Sequence, residues 1–139
     1  MKNRTGLKDK KLKGFSLMEI LIALAIIGIL AALVSTNMFG FISKAKSVEA
    51  QEHLDQIYTL EKQYFYMQSK YSNSLPEIGY DHAKLVTDGG KGNYRFEIVE
   101  ATNNKFLVRA TAVTDFNGNG TFNVWENDQD KNLKEVTPD

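Results

Sequence analysis

The sequence of 139 residues predicts an α+β fold, in which a long N-terminal α-helix packs on a small antiparallel sheet of three to four strands. Two observations lead to this prediction. Apolar side chains first form a continuous run and then recur at helical spacing, and no proline interrupts residues 15–75. Beyond Pro76, apolar and polar side chains alternate instead, which is typical of strands that bury one face.

A basic leader opens the chain. Six basic side chains against a single acid give residues 1–14 a net charge of +5, whereas residues 15–139 carry −5 and the whole chain is neutral. By the positive-inside rule, such a segment stays on the cytoplasmic side of a membrane. Without an overall basic excess, the chain is not expected to bind nucleic acid in bulk. The absence of cysteine excludes a disulfide scaffold, a thiol nucleophile and a cysteine zinc site.

An apolar run follows the leader. Phe15 to Val34 are twenty residues with one charged side chain, Glu19. A helix of that length is about 30 Å long, which matches the hydrocarbon core of a bilayer. On the residues alone, three interpretations stay open: a cleaved secretory signal, a permanent membrane anchor, or an apolar helix in which Glu19 has a specific role. A carboxylate at this depth costs on the order of 2.5 kcal/mol or more, and a discarded signal has no reason to carry that cost.

The junction between leader and helix reads Lys13-Gly14-Phe15-Ser16-Leu17-Met18-Glu19-Ile20 and resembles the processing site of the type IV pilin family. This family includes pilus subunits and the pseudopilins of type II secretion. The shared motif is a basic leader, a glycine, a phenylalanine, a glutamate four residues later and then an apolar helix. The close similarity covers residues 8–35, and Gly28 also sits where the family usually has glycine.

The resemblance implies a processed subunit of a filament. A prepilin peptidase would cut between Gly14 and Phe15 and methylate the new Phe15 amine. Residues 15–40 would then span the membrane or form the filament core. There Glu19 would pair with the Phe15 amine of a neighbouring subunit, because a buried charge is tolerated only when it is paired.

The resemblance also implies partners and a location. The partners would be further copies of the chain, the peptidase, an assembly-platform membrane protein and, before assembly, inner-membrane lipid. The precursor would lie in the bacterial inner membrane with its leader in the cytoplasm and its globular part in the periplasm. The mature subunit would be in an extracellular filament, or in the periplasm if it is a pseudopilin.

The expected function is therefore that of a structural subunit of a type IV pilus-like filament and not that of an enzyme, since no catalytic constellation is present. Two alternatives stay open: a pseudopilin of a type II secretion system, and a membrane-anchored periplasmic binding module that does not polymerise. The sequence departs from the family at Thr36, where many members have a proline at which the helix melts in the fibre. Whether the helix melts near Thr36 is left open.

Residues 41–74 are predicted to be the amphipathic half of the same helix, ending near residues 70–74 because Pro76 disfavours helix just before it. Apolar side chains at helical spacing would face the globular part; these are Phe41, Ala45, Val48, Leu54, Ile57, Leu60, Tyr64, Met67 and Tyr71. Charged side chains are expected on the other face: Lys44, Lys46, Glu49, Glu52, Asp55, Glu61 and Lys62.

Residues 75–139 are predicted to form a small globular β domain that packs on the helix. Strands are expected at residues 94–98, 106–112, 121–126 and 133–136, and Asn103-Asn104 suits the turn between the first two. A unit this small without a disulfide has little core of its own. The apolar face of the helix is therefore expected to supply the second layer.

One loop matches a calcium-binding pattern. Residues 115–126 fit the template D-x-[DN]-x-[DN]-G-x5-E, in which six positions turn oxygen atoms toward Ca²⁺. Those positions are Asp115, Asn117, Asn119, the Thr121 carbonyl, Asn123 and Glu126. The flanking helices of an EF-hand are not predicted, and only two ligands are charged. The alternative is a plain hairpin connection turned by Asn-Gly, so Ca²⁺ is an open possibility as the cofactor.

Overall fold

The computed structural model describes residues 14–34 and 38–139. Most of the predicted leader lies outside the described residues, and so does Thr36, where the sequence leaves open whether the helix melts. The described residues form two α-helices, α1 (Leu17–Val34) and α2 (Met38–Gln68), and then four strands. It separates into two compact units between Thr36 and Asn37, with α1 in the first and everything from α2 onward in the second. The predicted α+β class is confirmed.

The four strands form one antiparallel sheet in the order of the sequence. They are β1 (Tyr94–Ala101), β2 (Phe106–Ala112), β3 (Val124–Asp128) and β4 (Lys134–Thr137). Tyr94 pairs with Ala112 at one end of the first ladder, and Ala110 pairs with Trp125 in the second. All four predicted strands are present. The third strand begins later than predicted because residues 121–123 belong to the loop before it. It also ends two residues later, at Asp128.

The helix α2 buries one narrow stripe. Its buried side chains follow steps of three and four: Ser43, Ser47, Ala50, Leu54, Ile57 and Glu61. Leu54 and Ile57 confirm the predicted face, and full burial of each contributes about 1.5–3 kcal/mol. The prediction is wrong at both ends of the helix, where Phe41 is 73% and Met67 is 72% exposed. Glu61 was expected on the outer face and is instead fully buried.

Small polar side chains occupy the start of the stripe in place of the predicted apolar ones, and both bond to backbone carbonyls. Ser43 Oγ donates to the carbonyl of Asp139 at 2.6 Å, and Ser47 Oγ donates to the Ser43 carbonyl at 3.0 Å. Ala45 and Val48, which were predicted to be covered, are exposed. Apolar spacing alone therefore does not locate the buried face in this part of α2.

The helix ends slightly earlier than predicted. Ser69 adopts a left-handed conformation with φ 56°, and its N–H bonds to the Phe65 carbonyl at 2.8 Å, which closes the last turn. The segment that follows, residues 69–80, returns along the sheet and contributes Tyr71, Ile78 and Tyr80 to the core.

The core lies between α2 and the sheet. Leu54 and Ile57 belong to the same buried cluster as Tyr94 and Phe96 of β1 and Phe106 of β2. Tyr71 packs on Phe106 with ring centroids 4.9 Å apart. The helix therefore supplies the second layer of the globular part, as its small size requires.

Candidate functional site

The N-terminus of α1 is built by two residues of the predicted processing motif. Ser16 precedes the helix, and the N–H of Glu19 donates to Ser16 Oγ at 3.2 Å. In return, the Ser16 N–H donates to Glu19 Oε2 at 2.8 Å. This reciprocal pair is a capping box, which satisfies two of the donors left over at a helix start. Glu19 therefore helps to start its own helix, a role that the sequence analysis missed although the pattern Ser-x-x-Glu signals it.

Gly14 and Phe15 lie just before this helix start. Both are exposed, and Phe15 exposes 83% of its surface. Among the residues that the structure describes, a Cβ added to Gly14 would meet nothing within 4 Å. The structure thus brings the predicted cleavage residues and Glu19 together at one exposed end of α1, within five residues of sequence.

The surface of α1 is apolar on all sides. None of its 18 residues is buried in the structure. By length and composition α1 could cross a membrane, with a mean hydropathy of 2.8. Apolar surface in water costs about 25 cal/mol per Å², so a helix of this kind needs lipid or other protein around it.

Gly28 lies in the middle of α1. In the part of the chain that the structure describes, a Cβ at this position would meet nothing within 4 Å. Packing among residues 14–34 and 38–139 therefore gives no reason for a glycine here, whereas close approach of a second helix would give one.

The first half of the predicted calcium loop folds around Asp115. Its Oδ1 accepts the N–H of Gly118 at 2.6 Å and those of Asn117 and Asn119 at 3.2 and 3.3 Å. Its Oδ2 accepts the Gly120 N–H at 2.6 Å. Hydrogen bonds from Gly120 and its neighbours lower the pKa of Asp115 below its ordinary value. Asn119 Oδ1 accepts the Thr121 N–H at 2.6 Å, so backbone amides occupy oxygens that the template assigns to a cation.

The second half of the loop departs from the template. Glu126 lies in β3, where its Oε1 accepts bonds from Arg109 Nε at 2.9 Å and Nη2 at 2.8 Å. Asn123 is fully buried and bonds to Tyr94 and Glu135. Because these two side chains have other partners, the residues as placed do not fit the predicted six-ligand set. Among the described residues, no group of three or more His, Cys, Asp or Glu could hold a metal ion.

The connection from β2 to β3 instead joins two neighbouring antiparallel strands, as the hairpin alternative requires. Calcium binding stays a prediction from the sequence, and the function proposed below does not use it.

Comparison with known proteins adds to the geometry of the α1 end. Residues 9–35 match the family model described as the prokaryotic N-terminal methylation motif. The chain is also 41% identical over 68 residues to the type IV major pilin protein PilA of Myxococcus xanthus (strain DK1622). That alignment covers 49% of this chain and 31% of the relative. The chain therefore carries the prokaryotic N-terminal methylation motif at the start of an exposed apolar helix, and over about half of its length it is similar to a type IV major pilin.

Proposed function

We propose that the chain is a structural subunit of a type IV pilus-like filament that assembles through α1. The observation that carries the proposal is that α1, the more apolar of the two described helices, has no buried residue in the part of the chain that the structure describes. Bundling of α1 helices from many subunits would remove this surface from water. A head-to-tail contact between identical subunits produces an open helical filament, and the globular part would form its outside.

Processing would precede assembly. We expect the peptidase to cut between Gly14 and Phe15 and to methylate the new amine, and the exposure of both residues supports this step. Removal of residues 1–14 takes away a net charge of +5, so the mature chain carries −5 from side chains. The leader would thus orient the precursor in the membrane and would be absent from the fibre.

Glu19 would neutralise the Phe15 amine of a neighbouring subunit. Its carboxylate is exposed at the start of α1, and Oε2 already accepts the Ser16 N–H. The capping box holds the carboxylate beside the first turn, where an incoming amine can reach it. A cation in an apolar fibre core needs such a partner.

Location and partners follow from the same proposal. The precursor would sit in the inner membrane with its leader in the cytoplasm, and would meet the peptidase and an assembly-platform protein there. The relative is named a major pilin, which favours an extracellular pilus over a secretion pseudopilus. The pilin family is a structural family and not an enzyme family, so the proposed mechanism is assembly.

Replacing Gly14 tests the processing step. We expect Gly14→Val to leave the full 139-residue precursor in the membrane, because a branched side chain prevents close approach of the backbone to the peptidase. The measurement is the intact mass of the extracted protein. Gly28→Ala is the matched control for processing and should yield the shortened, methylated chain. A Gly14→Val chain that still begins at Phe15 would contradict the proposed role of Gly14.

A further inference from the structure

A carboxyl group is buried between α2 and the segment that follows it. Glu61 is 0% exposed and lies on the buried stripe of α2. Its Oε2 accepts the Ser72 N–H at 3.0 Å, whereas its Oε1 is buried and has no hydrogen-bond partner among residues 14–34 and 38–139. A buried carboxylate is costly unless it is fully paired. The half-satisfied group is thus better suited to its neutral, protonated form.

The surroundings of Glu61 contain a second acid. Ser72 Oγ donates a short hydrogen bond to Glu77, and Tyr64 Oη donates to Glu77 Oε1 at 2.8 Å. The negative charge of Glu77 acts on Glu61, so ionisation of Glu61 would place two like charges near each other. The hydrogen bond to Glu77, together with the negative charges of Glu77 and Glu61, raises the pKa of the Tyr64 hydroxyl.

The nearby lysines interact with groups other than Glu61. Lys62 Nζ bonds to Tyr71 Oη at 3.0 Å, and the charge of Lys70 acts on Glu77. Among the described residues, no lysine or arginine forms an ion pair with Glu61. Burial, and then the charge of Glu77, raise the pKa of Glu61 to about 7, against the opposing effect of the Ser72 N–H.

The segment of residues 69–80 contacts Glu61 through Ser72. Ser72 is buried and is tied both to Glu61 and to Glu77, while Tyr71, Ile78 and Tyr80 enter the core. A cavity of about 220 Å³ beside the segment is lined by Ser72, Glu77 and Tyr64, among others. This space gives water and the segment room to rearrange beside Ser72, the residue that bonds to Glu61.

We propose that Glu61 is a proton-operated clasp, which holds residues 69–80 on α2 when it is neutral and loosens them when it ionises. The proposal is independent of the proposed function in filament assembly. It assigns a role to an ionisable residue inside the globular part, which belongs neither to the capping box nor to the apolar helix α1.

The direction of the pH effect follows from proton linkage. The closed state holds the proton of Glu61 up to about pH 7, whereas an open, hydrated Glu61 releases it near its ordinary value of 4.5. Raising the pH through this window therefore favours opening. The opening equilibrium should increase about tenfold per pH unit from about pH 5 to pH 7 and then level off.

Hydrogen exchange at the amides of residues 71–80 tests the clasp in the full chain in detergent micelles. After correction for intrinsic exchange, we expect the tenfold rise per pH unit in the wild type and no rise in Glu61→Gln, which cannot ionise. Glu52→Gln, on the exposed side of the same helix, should behave as the wild type. A wild type without the rise, or a Glu61→Gln chain that keeps it, would overturn the proposal.

A second measurement does not depend on a variant that folds. The ¹³C signal of the Glu61 carboxyl in the wild type should titrate with a midpoint near pH 7. A midpoint near 4.5 would show an ordinary carboxylate and would overturn the clasp.

Discussion

Cells that produce the Glu19→Ala chain are expected to carry no filaments of this subunit, although the leader is still removed. The substitution would leave the Phe15 amine without the partner that we propose for it in the apolar fibre core. An uncompensated buried charge costs about 3–5 kcal/mol, which is more than a hundredfold in each association constant. Because every subunit makes the same contact, the loss repeats along the fibre. The capping box is lost as well, at a cost of about 1 kcal/mol to the start of α1.

The measurement is electron microscopy of surface filaments together with the intact mass of the membrane-extracted chain. Glu100→Ala, which removes an exposed carboxylate from β1, is the matched control and should assemble normally. Normal filaments from Glu19→Ala would contradict the proposed pairing of Glu19 with the Phe15 amine. A Glu19→Ala chain that keeps its leader would mean that the residue acts in processing.

Replacing Asn123 with alanine should destabilise the globular unit by about 2–5 kcal/mol, since each buried polar group left unpaired costs about 1–3 kcal/mol. Asn123 Oδ1 accepts the hydroxyl of buried Tyr94 at 2.7 Å. Its Nδ2 donates to Glu135 Oε1 at 2.6 Å and to the Thr137 carbonyl at 3.1 Å. One side chain therefore ties β1 to β4 across the loop before β3. Alanine would leave the Tyr94 hydroxyl, the Glu135 carboxylate and the Thr137 carbonyl without this partner, and it would also leave a cavity.

Urea unfolding of the unit Asn37–Asp139 gives the free energy of unfolding for this test. Asn104→Ala is the control, because this side chain is exposed in the turn between β1 and β2 and its change should stay within about 0.5 kcal/mol. Equal stability of Asn123→Ala and the wild type would contradict the role of Asn123 as a structural tie.

Local patterns were enough to predict the sheet. Alternation of Tyr94 and Phe96 with charged neighbours marked β1, and both side chains are buried. Asn103-Asn104 lies between β1 and β2, as its turn chemistry indicates. These features depend on neighbours in sequence, so they can be identified before any tertiary contact is known.

Asn123 and Glu61 could not be placed in the same way, because their environments come from distant parts of the chain. Asn123 fitted a calcium template by spacing, yet its partners Tyr94 and Thr137 lie 29 and 14 residues away. Glu61 looked like one more charge on an outer face, but the segment containing Ser72 folds back over it. In both cases tertiary contact overrode a local pattern.

The apolar face of α2 was misjudged for a related reason. Phe41 and Val48 have the correct spacing for a buried stripe, but in this unit Ser43 and Ser47 occupy it. The exposed apolar residues at the start of α2 extend the exposed apolar surface of α1 along the sequence. If the chain assembles, neighbouring subunits are expected to cover them.

Electron microscopy of labelled fibres tests the central claim, assembly of this chain into a filament, most directly. A short tag between Asn103 and Asn104 would lie in an exposed turn away from α1 in sequence. Fibres sheared from cells that produce the tagged chain should bind gold-labelled antibody along their whole length. Label confined to the cell envelope, with fibres unlabelled or absent while the tagged chain is folded and processed, would contradict the claim.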